Sequence, residues 1–240
     1  MPSDKIHKRA YPSRRARKKR IINKVKHDVI KNEHTMLGVQ RLDNIQYCFE
    51  DIIKNNVEGD LIETGVWRGG ATIFMAALNK VYNQNRKVFV ADSFEGLPEP
   101  DAKNYPPDFK DKHHTFDHLK VSQEEVAQNF NQYKLLDDNI VFIKGFFEHS
   151  LKDAPIDKLA LLRLDGDMFS STIQVLEELY DKVSPGGYII VDDYGAVRGC
   201  RLAVSKFRKE RGLGLRRLPS VPEEGINHRG YTATFWKKGF

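Results

Sequence analysis

Two runs of carboxylates punctuate the second half of the chain. In L-L-R-L-D-G-D-M-F-S-S, residues 161–171, Asp165 and Asp167 stand one residue apart behind an apolar stretch interrupted only by an arginine. In Y-I-I-V-D-D-Y, residues 188–194, Asp192 and Asp193 end a second apolar stretch. Unpaired carboxylates that share a cleft raise each other's pKa, and a hard divalent cation removes that penalty. Oxygen ligands alone favour Mg2+ or Ca2+, then Mn2+, over zinc. The competing use of the same aspartates is the capping of adjacent helices.

Two further stretches bear on a second ligand. E-T-G-V-W-R-G-G, residues 63–70, sets glycines where a backbone must come close to a ligand, with Glu63 just ahead of them. The pattern is not G-x-G-x-x-G. A carboxylate at that place repels a pyrophosphate but suits a cationic ligand such as S-adenosylmethionine, with its ammonium and sulfonium groups, and this weighs against NAD. Asp92, closing V-F-V-A-D, stands where an acid commonly accepts from the ribose hydroxyls of an adenosine cofactor. That requirement is common to both cofactors.

These residues need elements to hold them. Strand-like segments at 59–66, 87–94, 139–145, 159–167 and 187–194 alternate with helical ones at 69–82, 122–133, 170–182 and 197–210. In the second helix Val126 and Phe130 share a face, and Ser122 with Glu125 forms a capping box at its start. Repeated β-α units specify a doubly wound, mostly parallel α/β sheet with helices on both faces. Residues 215–238 differ: two short strands flank a loop with proline and glycine, which predicts an antiparallel hairpin at the sheet edge. That hairpin narrows the class to the Rossmann-like class I methyltransferase fold, with seven strands. Ligands in such sheets bind beyond the carboxyl ends of the strands, where all of the carboxylates above fall.

Charge is unevenly spread. The chain has 240 residues and a net charge of +6, yet residues 1–26 alone hold eleven Lys/Arg against the single acid Asp4. We read 1–26 as a flexible basic arm and 27–240 as one domain; the arm suits nucleic acid or an anionic membrane surface, or plain solvation. No apolar run is long enough to span a bilayer and no secretory segment opens the chain, so a cytoplasmic location is expected. Cys48 and Cys200 form no metal-binding spacing and are expected to pack.

The stretches G-D-L-I-E-T-G-V-W-R-G-G-A-T-I-F-M, V-A-D-S-F-E-G-L-P-E-P-D and L-L-R-L-D-G-D-M-F through G-C-R-L-A-V resemble the macrocin O-methyltransferase family, enzymes that methylate sugar hydroxyls of antibiotics. The resemblance runs from about Thr35 to the terminal hairpin, leaving the first 26 residues outside. It implies S-adenosylmethionine and Mg2+ as cofactors, with the metal on Asp165, Asp192 and Asp193. It further implies cofactor contacts from Thr35, Met36, Glu63, Thr64, Gly65, Val66, Trp67, Asp92, Ser93, Phe94, Glu95, Gly96, Ser122, Gly145 and Phe146. Asp167 matches a general base, and a loop histidine assists in some relatives. His113, His114 and His118 compete for that role, and His113 is our choice. The segments 34–44 and 97–121 are expected to close over the site. The expected substrate is a glycoside, saccharide or other vicinal diol, and a homo-oligomer is left open. The alternatives are an RNA methyltransferase that uses the basic arm and an NAD-dependent sugar-modifying Rossmann enzyme.

Overall fold

The computed structural model describes residues 13–214, 218–222 and 233–239. Seven strands form one sheet: β1 (Asp60–Thr64), β2 (Val88–Asp92), β3 (Ile140–Lys144), β4 (Leu159–Leu164), β5 (Val183–Val191), β6 (Ser220–Val221) and β7 (Ala233–Lys237). Their order is β3-β2-β1-β4-β5-β7-β6. The first five run parallel, and β7 is antiparallel to both β5 and β6. The expected fold class holds, hairpin included, and strand order reverses between β1 and β4. The chain between β6 and β7 at 223–232, which the hairpin reading also covered, lies outside the described residues.

The two-residue period of the strands divides the interior into two cores. Leu61, Val88, Val90, Leu161 and Ile190 face one; Ile62, Phe89, Leu162, Ile189 and Val191 face the other. The first core is closed by α1 (Arg14–Lys31), α2 (Val39–Lys54), α3 (Gly70–Val81) and α4 (Gln123–Gln132). The second is closed by α6 (Phe169–Leu179) and α7 (Arg198–Glu210), with the short α5 (Phe147–Ser150) beside them. Cys48 and Cys200 are free and buried, one in each core. Among the described residues no helix is long and apolar enough to cross a membrane.

Helix α3 explains the largest departure from the sequence reading. Every residue from Gly70 to Asn79 is buried, because α3 lies between the sheet and α1. A helix apolar on all sides needs a cover, and the basic segment supplies it: α1 turns Ile22 and Val29 inward and runs through residue 26 without a break. Lys26 is itself buried, bonded to Asp43 and Gln46 and set over the Phe74 ring. Residues 14–26 are therefore part of the domain rather than a flexible arm. Similarly, residues 39–44 are the first turns of α2, with Leu42 fully buried, so only 34–38 of the expected closing segment lies outside a helix.

Strands stop short of the expected boundaries. β4 ends at Leu164 and β5 at Val191, which leaves Asp165 and Asp167 in the loop after β4 and Asp192 and Asp193 in a 3-10 turn after β5. The long connection after β2 is pinned at the start of α6 by a buried carboxylate. Asp108, 2% exposed, accepts the backbone N–H groups of Phe169 (2.7 Å) and Ser170 (2.9 Å) at the start of α6. The cap of α6 thus comes from a loop 61 residues away and not from Asp167, as the capping alternative has it. Replacing Asp108 by alanine should lower the unfolding free energy by roughly 1–2 kcal/mol in urea titration, with Asp108→Asn recovering part of the loss.

Candidate active site

Register builds the centre of the site. Glu63 of β1 and Arg163 of β4 are direct neighbours across the parallel pair, and Asp165 and Asp192 continue the same face two residues beyond Arg163 and Ile190. Arg163 has no exposed surface. One of its terminal nitrogens donates to Glu63 and to Asp165 Oδ2 (2.7 Å), the other to Asp192 Oδ1 (2.6 Å). Arg41 of α2 donates to the second oxygen of Asp192, and the Thr72 hydroxyl to the second oxygen of Glu63. The carboxylates read from the sequence as unpaired are therefore partly paired, by two arginines to which that reading gave no role. The signal was present: a lone arginine inside an otherwise apolar strand must find buried partners.

Glu63 does not face the cavity. Burial pushes its carboxyl up to about 7, against the opposing pull of Arg163, and both its oxygens are occupied within the protein. Contrary to expectation, Glu63 and Thr64 lie behind the ligand wall, because the alternation of β1 turns Glu63 to the Arg163 face while Thr64 donates to the Arg163 carbonyl at 3.3 Å. Two of the glycines are also required by contacts within the chain itself. A Cβ on Gly65, at φ +83°, would overlap the Asp165 carbonyl, and one on Gly70 would overlap the His34 carbonyl, to which the Gly70 N–H donates at 2.8 Å. Chain-to-chain contact already requires these glycines.

The cavity opens at the reversal between β1 and β4. Of the expected cofactor residues, Met36, Gly65, Trp67, Asp92, Ser93, Gly96 and Phe146 line it, together with Asp165 and Asp167. Asp92 holds the walls together, accepting from the N–H groups of Val66 (2.7 Å) and Phe94 (2.8 Å). Ser93 Oγ donates to the Gly96 carbonyl at 2.6 Å and accepts from Glu95 N–H at 3.0 Å, which fixes the second loop. Trp67 Nε1 donates to the His118 carbonyl at 2.7 Å and ties the first loop to the long one. Thr35, Val66, Phe94, Glu95, Ser122 and Gly145 are not among the described lining residues. The Ser122 hydroxyl instead accepts from Glu125 N–H at 3.2 Å as the cap of α4, and Gly145 N–H donates to the Asp92 carbonyl at 2.9 Å. Leu97, Tyr105, Phe147 and Gln174, which line the outer part, were not singled out in the sequence.

Oxygens of Asp165, Asp192 and Asp193 all lie within 4.8 Å of one another. Asp193 also accepts the N–H of Asp167 at 3.1 Å, and that bond holds Asp167 in the left-handed region at φ +56°. Burial, then the Asp165 charge, pushes the Asp167 carboxyl up to about 7; His113 acts in the opposite sense. His113 Nδ1 lies 2.9 Å from both oxygens of Asp111. His118 stacks on Phe116, whereas the charge of His113 acts on Asp167.

The sequence matches the profile of the Macrocin-O-methyltransferase (TylF) family over residues 4–238. The match takes in most of the basic segment that the resemblance was expected to exclude. A demethyldecarbamoylnovobiocin O-methyltransferase of Streptomyces niveus is 47% identical over 197 residues, covering 81% of this chain and 75% of the relative. An 8-demethyl-8-(2,3-dimethoxy-alpha-L-rhamnosyl)-tetracenomycin-C 4'-O-methyltransferase of Streptomyces olivaceus is 44% identical over 206 residues, covering 85% and 75%. The solved structure of the O-methyltransferase NovP superposes with a TM-score of 0.81 at 38% identity, over 94% of this chain and 99% of that one.

Removing Arg163 leaves buried carboxylates facing one another. Arg163→Met should cost about 3–5 kcal/mol of unfolding free energy. Its unpaired carboxyls would have folded-state pKa values above the unfolded ones, so the folded variant binds more protons and gains stability as pH falls. Denaturant titrations at pH 6 and pH 8 should show a smaller deficit against the parent at pH 6.

Proposed function

The chain belongs to the macrocin O-methyltransferase family and is an S-adenosylmethionine-dependent O-methyltransferase, and from that premise we propose that it methylates a sugar hydroxyl flanked by a second hydroxyl, with a divalent cation held by Asp165, Asp192 and Asp193. The observation that carries this reading is the convergence of those three carboxylates beside a cavity that Asp165 and Asp167 line. The donor set fits a hard cation: the ligands are oxygens, and five carboxyl groups, counting Glu63 and Asp167, meet two guanidinium groups in this centre. Mg2+ suits that set. A cation there would bind neighbouring hydroxyls and make one of them easier to deprotonate. The printed name of the Streptomyces olivaceus relative, with its rhamnosyl group and 4'-O position, supports a sugar hydroxyl as acceptor.

The protein's own residues then have distinct tasks. Gly65, Asp92, Ser93 and Gly96 shape the inner wall of the cavity, where the cofactor would lie, and Met36, Trp67 and Phe146 supply apolar surface around it. S-adenosylmethionine supplies a methyl group on a sulfonium, an electrophile that needs no further activation. The acceptor oxygen forms its bond to that carbon as the carbon–sulfur bond breaks, leaving a neutral thioether, and Asp167 takes the hydroxyl proton. Its backbone, fixed by Asp193, keeps the carboxyl one residue beyond Gly166 at the cavity wall. Asp111 orients His113, whose positive charge, when present, favours the ionised form of Asp167. The 34–38 segment and the long loop exclude water from the transfer.

Chelator should abolish turnover and Mg2+ restore it; full turnover in excess chelator rules out the cation. Asp167→Asn should bind S-adenosylhomocysteine as the parent does in calorimetry while losing about 10²–10⁴ in kcat. Because the base must be ionised, kcat/KM should climb with pH through a midpoint near pH 7 and level off above it, and this limb should vanish in the variant.

A further inference from the structure

A second surface is lined by residues other than those of the catalytic cavity. Where α1 lies on the ends of α3 and α4 it forms a groove that shares no described lining residue with the cavity. Five cationic side chains border it: Arg14, Arg17 and Lys18 from α1, Lys80 from α3, and Lys134 after α4, with no acid among the described lining. Between them the floor is apolar, built from Ile21, Val25 and Val81. Ile21 is 38% exposed although it belongs to a helix whose other isoleucines and valines face the core or its edge. The outward side of α1 continues the charge with Arg20, Lys24 and Lys31, all exposed. Acids on the neighbouring surface are engaged: Asp28 with Lys24, Asp43 with Lys26, and Glu50 with Gln46 and the Tyr82 hydroxyl. Lys5, Lys8 and Arg9 precede the helix in sequence.

We propose that this face of α1 docks the protein on an anionic phospholipid bilayer, with lipid phosphates among the five cations and acyl carbons against Ile21, Val25 and Val81. Charge complementarity selects an anionic partner. The apolar floor separates a lipid from a nucleic acid: a phosphodiester chain uses the cations alone, whereas an interfacial helix combines a basic face with aliphatic side chains that enter the headgroup boundary. An exposed isoleucine ringed by arginine and lysine meets that description. Docked this way, the enzyme would meet glycosides carried at a membrane surface.

The test is co-sedimentation of the full chain with vesicles, with no methyl acceptor present, so that its outcome is independent of the reading of the catalytic site. Vesicles of phosphatidylglycerol with phosphatidylcholine should bind about tenfold or more better than phosphatidylcholine alone, and high salt should release the protein. Arg17→Glu and Lys80→Glu should each weaken binding severalfold. Ile21→Ser, which leaves the charge unchanged, should also weaken it, while methylation of a soluble acceptor and the thermal unfolding temperature stay at parental values. Equal sedimentation with both vesicles, no sedimentation, or parental binding by Ile21→Ser overturns the proposal. So does tighter binding to a single-stranded RNA oligonucleotide that Ile21→Ser leaves untouched, an outcome that assigns the basic face to nucleic acid.

Discussion

A single buried guanidinium organises this enzyme. Arg163 stands in a strand with no exposed surface and donates to three carboxylates that come from three strand ends. A cation so buried is tolerable only because its partners are complete, and the partners are tolerable only because the cation is there. The sheet can therefore bring Glu63, Asp165 and Asp192 within one small volume without splaying its strands. Asp165 and Asp192 are thus held in place by the protein's own hydrogen bonds. The sign of the centre is decided by what Arg163 and Arg41 leave over: Asp193 and Asp167 add carboxyls that neither arginine contacts.

The same economy governs the ligand loops. Asp92 spends its oxygens on the N–H groups of Val66 and Phe94, and Ser93 closes its own turn onto Gly96. Trp67 and Phe94 hold positive φ angles of 48° and 57° beside the cavity, conformations that need such support. The loops are held by their own hydrogen bonds, so the cavity wall exists before any ligand enters.

Much of this was legible in the chain, and the failures have definite physical causes. Alternation of strand and helix patterns, with the terminal hairpin, identified the sheet, because burial on both faces leaves parallel strands as apolar runs between helices. Asp165, Asp167, Asp192 and Asp193 were legible as one cluster because strand ends converge. Glu63 was misplaced because motif position says nothing about which way a side chain leaves its strand; only the register against Arg163 decides that. Residues 14–26 were misread because their eight cations outweighed the spacing of Ile22 and Val29, a stripe that matters once α3 needs a cover. Asp108 gave no local sign, since its partners at Phe169 and Ser170 are distant in sequence.

Asp108 also bears on how the enzyme comes to be. Its seat is the N-terminal turn of α6, and α6 emerges 61 residues later in the chain. This anchor of the connection after β2 can form only once α6 has its place on the second core. A chain that holds only its first three strands therefore lacks the seat for the loop that brings Tyr105 to the cavity.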